Sequence, residues 1–483
     1  MSALHRLRRQ GTGLTACLAL VTALASCRSK PSSDTPRPPA EDERLAGGYR
    51  LERNGWIYVH AQGSPERLGF QHGYLLAPEI ADLLRVVKPL LQQLTKKDWA
   101  FYRDAADNML WPQIEIEYQQ ELDGIVAGLT AHGETADRLD IVALNGMLEL
   151  AYYYAPWFDK RHGRVPSVTS PESCSAFVAT GGYTSDRRIV MGHNAWTDYV
   201  VGSRWNVVFD LVPAGGHRML MDGLPGVIVS DDDFGVSSAG LMVTETTITL
   251  FEGFDPRGIP EFVRARKALQ YSNSIDDYVK TMLDRNNGGY ANDWLIGDNK
   301  SGEIARFELG LSEHSVERTS DGYFVGSNFP VGKDLIKHET HFDAHNAASS
   351  ANARHARWDQ VMAEQRSHID PEVGKRLESD AYDVVLRRNG PTERSLCGTV
   401  DASPRGIPDW DWPPFFPGGT VQAKVTSGAM AERLQFWAAM GHPCAPDFIA
   451  ADFLAKHPQF NWAHDLLRDM KTQPWTEFMG GMK

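Results

Sequence analysis

Cys174 is the residue of this sequence whose chemistry can be argued most fully from its own position. It lies in the run Ser173-Cys174-Ser175-Ala176-Phe177, at the start of a strand-like stretch. A thiolate is a strong nucleophile, but a cysteine inside a chain needs a base to ionise it. Cleavage of the Ser173–Cys174 bond would supply one, because the new α-amine has a pKa of about 7.7 to 8.0 and lies beside the thiol. We therefore predict that the thiol attacks the carbonyl of Ser173 and then serves as an N-terminal nucleophile.

The elements that must position this thiol divide into a helical part and a part of mixed strands and helices. Apolar residues recur at helical spacing between residues 64 and 155, where Pro89 predicts a kink or stop and Asp140 is placed to cap a helix. Residues 156–173 hold prolines, a glycine and charges, which indicates an exposed, flexible connection. The last part, from Ser427, is predicted to be helical again.

Over the two parts together, the pattern gives bounds for seven strands and four helices. The predicted strands cover residues 174–179, 189–193, 206–212, 227–230, 241–250, 293–298 and 304–309, and the helices cover 114–129, 141–150, 261–271 and 275–283. Strands that pair first as hairpins, with helices on their faces, favour a layered α+β sandwich. His193 and Asn194 then follow Cys174 across a predicted hairpin, so the end of the second strand should lie beside the thiol.

Several segments together resemble the phospholipase B-like family over roughly residues 60 to 360. The matching segments are Ser173-Cys174-Ser175-Ala176-Phe177, Gly192-His193-Asn194-Ala195-Trp196, Pro225-Gly226, Asp232-Asp233-Phe234, Val243-Thr244-Glu245-Thr246-Thr247 and Tyr290-Ala291-Asn292-Asp293-Trp294-Leu295-Ile296, with His72-Gly73 and Asp140-Ile141 in the helical part. That family is similar to penicillin acyltransferase-like (C45-type) and bile-salt hydrolase N-terminal-nucleophile enzymes. The resemblance implies an αββα sandwich of two stacked, mainly antiparallel sheets flanked by helices, preceded by a helical segment.

The resemblance also implies roles for particular side chains. His193 would orient or activate Cys174, at a position where the bile-salt hydrolase relatives carry an arginine. Asn292 is the candidate for oxyanion stabilisation, because an amide NH2 is a donor that does not titrate near neutral pH. The supporting or pocket residues would be Asn194, Trp196, Thr246 and Trp294.

The expected reaction is cleavage of an acyl bond through an acyl-enzyme on Cys174, without a cofactor. We favour a linear amide, since self-processing is itself an amide cleavage. The phospholipase B-like resemblance implies a lipid ester, and acyl transfer is a further alternative. A non-catalytic binding protein of the cell envelope also remains possible at this stage, because His193 departs from the usual arginine.

The net charge and the residues that could bind metal bear on two further functions, nucleic-acid binding and metal-dependent catalysis. The formal net charge is −13 with no long basic run, which argues against nucleic acid as a partner. The run Asp231-Asp232-Asp233 could hold a cation, although such runs are more often turns. His338, His341 and His345 could form a zinc site, yet their spacing departs from the H-E-x-x-H pattern. We therefore expect a small acyl-containing or lipid substrate and no metal.

The N-terminus resembles a bacterial lipoprotein signal. Basic residues precede a short apolar run that ends in Leu24-Ala25-Ser26-Cys27, and Cys27 is the expected lipidation site. This predicts a protein of the cell envelope, lipid-anchored with outer-membrane sorting, or a secreted one, with membrane contact only through that anchor. Such a compartment permits a disulfide between Cys397 and Cys444. The predicted parts are a signal (1–27), a tether (28–59), a helical segment (60–155), a processing linker (156–173) and a catalytic domain (174–483).

Overall fold

The computed structural model describes residues 42–167, 174–231 and 234–483, and these contain two large β-sheets. Strands and helices are numbered along the chain. The first sheet has nine strands in the order β1 (Tyr49–Arg53), β2 (Trp56–Gly63), β5 (Val207–Pro213), β6 (Met219–Gly223), β7 (Gly235–Ser237), β8 (Leu241–Thr247), β9 (Asn292–Asp298), β10 (Glu303–Leu309) and β11 (His314–Thr319). Its neighbours are antiparallel except for β2 and β5, which run parallel.

The second sheet has six antiparallel strands and carries Cys174 as the first residue of one of them. The order is β12 (Gly322–Gly326), β3 (Cys174–Thr180), β4 (Val190–Asp198), β15 (Gly418–Ser427), β16 (Gln435–Met440) and β17 (Thr476–Met479). A separate hairpin joins β13 (Tyr382–Asp383) and β14 (Arg388–Asn389). Cys174 pairs with Ala195 and Ala176 with His193, so the β3–β4 hairpin brings His193 to the end of the sheet that carries the thiol.

The helices all follow β2 in the chain and lie between successive strands of the sheets. They are α1 (Pro65–Leu75), α2 (Ala77–Thr95), α3 (Trp99–Ala105), α4 (Ile116–His132), α5 (Arg138–Asn145), α6 (Met147–Glu149), α7 (Ala155–Arg161), α8 (Tyr199–Gly202), α9 (Glu261–Tyr271), α10 (Ile275–Leu283), α11 (Lys333–Glu339), α12 (Ser350–Glu364), α13 (Pro371–Leu377), α14 (Gly428–Ala431) and α15 (Ala450–Lys456). None of the helices in the described residues is both long and apolar enough to cross a membrane.

The two sheets stack face to face around one apolar core. Ala176 and Met191 of the six-stranded sheet share a buried cluster with Met242 and Ile296 of the nine-stranded sheet. On the outer side of the six-stranded sheet, Phe177 of β3 packs against Trp358 of α12, within a second buried cluster that includes residues of α13. The predicted α+β architecture with stacked, mainly antiparallel sheets is therefore confirmed.

Close packing of glycine-bearing helices fixes the helical part. Gly69 and Gly73 of α1 face Gly124 and Gly128 of α4, and a Cβ added at Gly73 would lie 2.1 Å from the carbonyl oxygen of Ile125. Only residues without a side chain allow two helix backbones to approach this closely. The pair α1–α4 is thereby a rigid base for the residues that follow.

The helical part differs from the sequence prediction in two details. Helix α2 continues through Pro89, because a buried face that includes Val86, Val87 and Leu90 holds it in the core despite the missing N–H donor. The N-cap of α5 is Asp137, and Asp140 is the third helical residue, whose side chain completes a capping box.

Two predictions about strands are wrong, for separate physical reasons. Residues 227–230 form no strand. The side chain of Asn145 bonds the backbone there in place of a neighbouring strand: its amide donates to Gly226 O at 2.8 Å, and its oxygen accepts from Ile228 N at 2.9 Å. The part after Ser427 contains two strands and only short helices. Strand β16, the first of the two, is a nearly continuous apolar run, and such a run does not distinguish a buried strand from a buried helix in sequence.

The strands β1 and β2 also lie where a tether and a helical segment were predicted, and they form one edge of the nine-stranded sheet. The start of the predicted linker is helix α7, whereas residues 168–173, including Ser173, lie outside the described residues. The signal and Cys27 lie outside them as well. Cys397 and Cys444 are joined in a disulfide, with their Cα atoms 6.0 Å apart.

Candidate functional site

The thiol of Cys174 lies in a buried cluster with an imidazole and a carboxylate. The sulfur of Cys174, a ring nitrogen of His193 and a carboxylate oxygen of Glu245 all lie within 4.8 Å of one another. His193 and Glu245 are completely buried and Cys174 is 4% exposed. The order of residue types is that of a nucleophile, a base and a group that orients the base. A thiol, an imidazole and a carboxylate are also ligands that zinc accepts, so the same three residues could hold that metal.

Glu245 is held in place by two neutral donors. The hydroxyl of Tyr290 donates to Glu245 Oε1 at 3.0 Å. With the side-chain amide of Asn292 oriented to satisfy both of its groups, its nitrogen donates to Glu245 Oε2 and to Ala291 O, each at 3.0 Å. Asn292 thus contacts the carboxylate of the cluster, and its predicted role as an oxyanion donor stays a prediction.

The main chain of Cys174 is fixed by two residues from outside its own sheet neighbours. Its N–H donates to Asn328 Oδ1 at 3.2 Å, and its carbonyl oxygen accepts from Arg354 Nη1 at 2.6 Å. Asn328 has a φ of +63°, a left-handed conformation that asparagine tolerates better than most residues. Its side-chain nitrogen donates to Thr247 O at 2.7 Å, which ties Cys174 to the end of β8.

Arg354 of α12 brings a buried positive charge beside the nucleophile. It donates to Asn328 Oδ1 at 2.7 Å and to Ser175 Oγ at 3.1 Å, and its guanidinium lies over the ring of Trp196. Burial lowers the pKa of Arg354 to about 9, and the negative charge of an ionised Cys174 acts in the opposite direction. Arg354 therefore remains charged at neutral pH, where it favours the thiolate form of Cys174.

The supporting residues predicted from the sequence lie in different surroundings. Asn194 is on the opposite face of β4 from His193, and its amide donates to Glu378 O at 2.6 Å. Trp196 is buried, and its indole N–H donates to Leu396 O at 3.1 Å. Its ring contacts Arg354, which in turn donates to the carbonyl oxygen of Cys174. The structure thus separates Asn194 from the cluster and leaves Trp196 one contact away.

Thr246 and Trp294 are both completely buried next to the residues of the cluster. A Cβ added at Gly326 of β12 would lie 2.4 Å from Thr246 Oγ1, so this hydroxyl faces the strand that pairs with β3. Trp294 pairs with Glu245 across β8 and β9 and packs against Tyr278 of α10. Their predicted contacts with thiol or substrate stay predictions.

The histidines considered for zinc are bound to separate carboxylates. His338 Nδ1 lies 2.8 Å from Glu313 Oε1, and His341 Nε2 lies 2.8 Å from Glu252 Oε2. Among the described residues, none of His338, His341 and His345 meets two further metal-binding side chains. Asp232 and Asp233 of the acidic run considered for a cation lie outside the described residues.

Comparisons with known proteins give matches that contain this cluster. A family model described as Phospholipase B matches residues 84–311, which include Cys174, His193, Glu245 and Asn292. These matches support the phospholipase B-like family. The matched region ends before Asn328 and Arg354, so the contacts of these two residues with Cys174 are known from the structure alone.

Individual relatives are distant. The chain is 26% identical over 325 residues to an uncharacterized protein of Archaeoglobus fulgidus, covering 62% of this chain and 49% of the relative. It is 26% identical over 217 residues to phospholipase B-like protein C of Dictyostelium discoideum (39% and 36%), and 22% identical over 456 residues to phospholipase-B 81 of Drysdalia coronoides (82% and 78%). The match thus spans half or less of the first two relatives. The penicillin acyltransferase-like part of the resemblance stays a prediction.

Proposed function

We propose that this protein hydrolyses acyl esters of lipids through a thioester on Cys174, and that Cys174 becomes N-terminal by cleavage after Ser173. The observation that carries the proposal is the buried group of thiol, imidazole and carboxylate within 4.8 Å. The names of the phospholipase B relatives support the ester. The N-terminal-nucleophile type of the αββα fold is part of the proposal, supported by a strand that begins with Cys174 in one of two stacked sheets.

His193 is the base that the geometry supports in the uncut chain. Its imidazole takes the thiol proton, Glu245 stabilises the imidazolium, and Arg354 stabilises the thiolate. The thiolate attacks the carbonyl of Ser173, the imidazolium of His193 returns its proton to the peptide nitrogen, and that nitrogen leaves as the α-amine of Cys174. Water then hydrolyses the thioester and regenerates the thiol.

In the cut protein the α-amine of Cys174 becomes a second base beside the thiol. The N–H of Cys174 already donates to Asn328 Oδ1, and the same oxygen would hold the free amine in place. An α-amine titrates at about 7.7 to 8.0, so a substantial fraction of it can accept a proton at neutral pH. The same attack and release then act on a substrate ester, with its alcohol as the leaving group.

The choice of ester departs from the preference drawn from the sequence. Self-processing would require one amide cleavage within the chain, and this single event does not require that the substrate is also an amide. An alkoxide is a better leaving group than an amide nitrogen, and the relatives carry the name of an ester hydrolase. Hydrolysis of a linear amide and acyl transfer are the alternative outcomes of the test below.

The compartment is a further part of the proposal. The disulfide between Cys397 and Cys444 is typical of proteins outside the reducing cytosol. This supports the predicted envelope or secreted location, with a small lipid or acyl-containing substrate and with membrane contact through the N-terminal anchor.

The test compares two substrates of equal acyl chain on purified full-length protein. A lysophospholipid and an N-acyl amide are supplied, and released fatty acid is measured. We expect release from the ester, its loss in Cys174→Ala, and insensitivity to a chelator. Release from the amide alone would replace the ester by the amide, whereas full activity in Cys174→Ala would overturn the nucleophile. Loss of activity on chelation, restored by zinc, would favour a metal hydrolase on the same three residues. No release from either substrate would favour the binding protein.

A further inference from the structure

A cavity of about 470 Å³ lies between the end of the helical part and the segment that follows β8. One wall comes from Tyr152 to Pro166, at the end of the helical part. The other comes from Leu250 to Phe254, after β8, with His341 at the edge. The volume lies within the range of about 300 to 1,000 Å³ that is usual for small-molecule sites.

Two hydrogen bonds connect this cavity with the nucleophile. The hydroxyl of Tyr153, which lines it, accepts from Ala291 N at 3.1 Å, and Ala291 precedes the Asn292 that contacts Glu245. Thr249, which precedes the lining residue Leu250, donates its N–H to the carbonyl of Asn328 at 3.3 Å. Asn328 in turn holds the N–H of Cys174. The walls of the cavity are therefore joined through these bonds to residues that hold the thiol and its carboxylate.

The walls of the cavity are mostly aromatic. Trp157 contacts Phe254 with ring centroids 6.1 Å apart, and Tyr153 contacts Phe251 at 6.0 Å. Phe251 and Phe254 are buried, whereas Trp157 is half-buried. Such a surface suits an apolar chain, since it leaves no strong donors or acceptors unsatisfied along that chain.

The rim carries the basic side chains of Lys160, Arg161 and His341, and within the described residues Arg161 is the one of these three without a carboxylate partner. Glu252 pairs with both Lys160 and His341. The hydrogen bond from Lys160, with a smaller contribution from His341, holds the pKa of Glu252 below its usual range. Arg161, by contrast, lies over the ring of Trp157 at 5.0 Å and, within the described residues, has no carboxylate in ion-pair distance. In a chain of net charge −13 this exposed guanidinium marks the rim as a place for a negative group.

We propose that this cavity binds a single-chain amphiphile with a negatively charged head group, its chain along the aromatic walls and its head group on Arg161. The proposal names the substrate class of Cys174 and so rests on the proposed function for its catalytic meaning, but not for binding. Tyr152 to Pro166 precede the expected cut at Cys174. The walls of the cavity then belong to both fragments. Arg161, which binds the head group, is part of the N-terminal fragment.

Binding can be measured without turnover in full-length Cys174→Ala protein. The probes are N-decanoylglycine, which is anionic, and N-decanoylglycinamide, which has the same chain and is neutral, both below their micelle concentrations and followed by titration calorimetry. Arg161→Gln removes the charge and retains much of the stem. Arg388→Gln is the matched control, because Arg388 is also exposed but lies in the hairpin β13–β14 and does not line the cavity. Leu250→Trp fills the cavity at a half-buried position.

We expect the anionic probe to bind about tenfold more tightly than the neutral one, corresponding to about 1.4 kcal/mol. Arg161→Gln should abolish that difference, Arg388→Gln should leave it, and Leu250→Trp should weaken both probes. Equal binding of the two probes to the parent, an unchanged ratio in Arg161→Gln, or no binding at all would overturn the proposal. Arg161-dependent binding without hydrolysis of any ester or amide by wild-type protein would instead refute the proposed function and leave the site intact.

Discussion

Two buried carboxylates of the nine-stranded sheet have similar neighbours and opposite uses. Asp210 of β5 accepts from the hydroxyl of Tyr58 at 2.7 Å and lies 2.6 Å from His60 Nδ1. Glu245 of β8 accepts from the hydroxyl of Tyr290 at 3.0 Å and lies within 4.8 Å of a ring nitrogen of His193. Each site thus has a carboxylate, a histidine and a tyrosine, and a search by residue type would select both.

The charge and the partners separate the two sites. Asp210 also forms two bonds with the guanidinium of Arg218, at 2.7 and 2.6 Å, and accepts from Gly481 N at 2.8 Å. Burial alone would raise the pKa of Asp210, but the bonds from His60, Arg218 and Tyr58 outweigh it and hold the pKa well below its usual range. This carboxylate joins β2 and β5 to the C-terminal residues. The Glu245 site instead contains the thiol of Cys174, which is why the proposed reaction is placed there.

Replacement of the nucleophile should have the largest effect. We expect Cys174→Ala to lower kcat by more than about 10³-fold and to leave the chain uncut, since no other group of the cluster can form the thioester. The measurement is ester hydrolysis together with denaturing gel analysis. Cys174→Ser, which replaces the thiol by a weaker hydroxyl nucleophile, should cleave its own chain slowly. Wild-type rates in Cys174→Ala would contradict the role of the thiol.

The paired carboxylate variants test the comparison itself. Glu245→Gln should lower kcat by about 10² to 10³-fold, because the imidazolium of His193 loses its partner, with a small change in stability. Asp210→Asn should leave kcat within about threefold. Steady-state kinetics on both variants decide this, and an equal loss of kcat in the two would remove the distinction between the sites.

Asp210 should show its effect in stability and in the dependence of stability on pH. We expect Asp210→Asn to lower the free energy of unfolding by about 3 kcal/mol at pH 7, because Arg218 and His60 lose their partner. The pKa of the folded carboxyl lies below that of the unfolded one. The stabilisation is therefore present above the unfolded pKa of about 3.9 and is lost as the pH falls through the folded value. Denaturant unfolding at several pH values tests this, and a difference between the two proteins that grows on acidification would be contrary to the account.

The smallest expected effect concerns the two tyrosines. Tyr290→Phe removes one donor from Glu245 and should lower kcat by about threefold to tenfold, in line with one hydrogen bond of about 1 kcal/mol. Tyr58→Phe removes one of several donors from Asp210 and should change only stability, by about 1 kcal/mol. Kinetics and thermal unfolding of the pair are the measurements. A slower enzyme in Tyr58→Phe with no change for Tyr290→Phe would reverse the assignment.

The sequence predicted the hairpin that joins Cys174 to His193 and the helices α9 and α10, because local patterns of apolar residues mark these elements. It predicted Cys174 from the chemistry of a cysteine that cleavage would make N-terminal, together with the family resemblance of the surrounding segments. It did not select Glu245, although a carboxylate within an apolar strand was a visible signal. Asn328 and Arg354 reach Cys174 only through the fold, since each lies more than a hundred residues along the chain, and no local pattern indicates such a contact. The C-terminal strands were missed because β16 is an apolar run without alternation and β17 has only four residues.

The most direct test of the central claim is the intact mass of the active protein, before and after brief incubation with a lysophospholipid. The account predicts two chains, of which the second begins Cys-Ser-Ala-Phe and gains the mass of one acyl group, lost again on treatment with hydroxylamine. Fully active protein that consists of the uncut chain, or an acyl group on a residue other than Cys174, would contradict it.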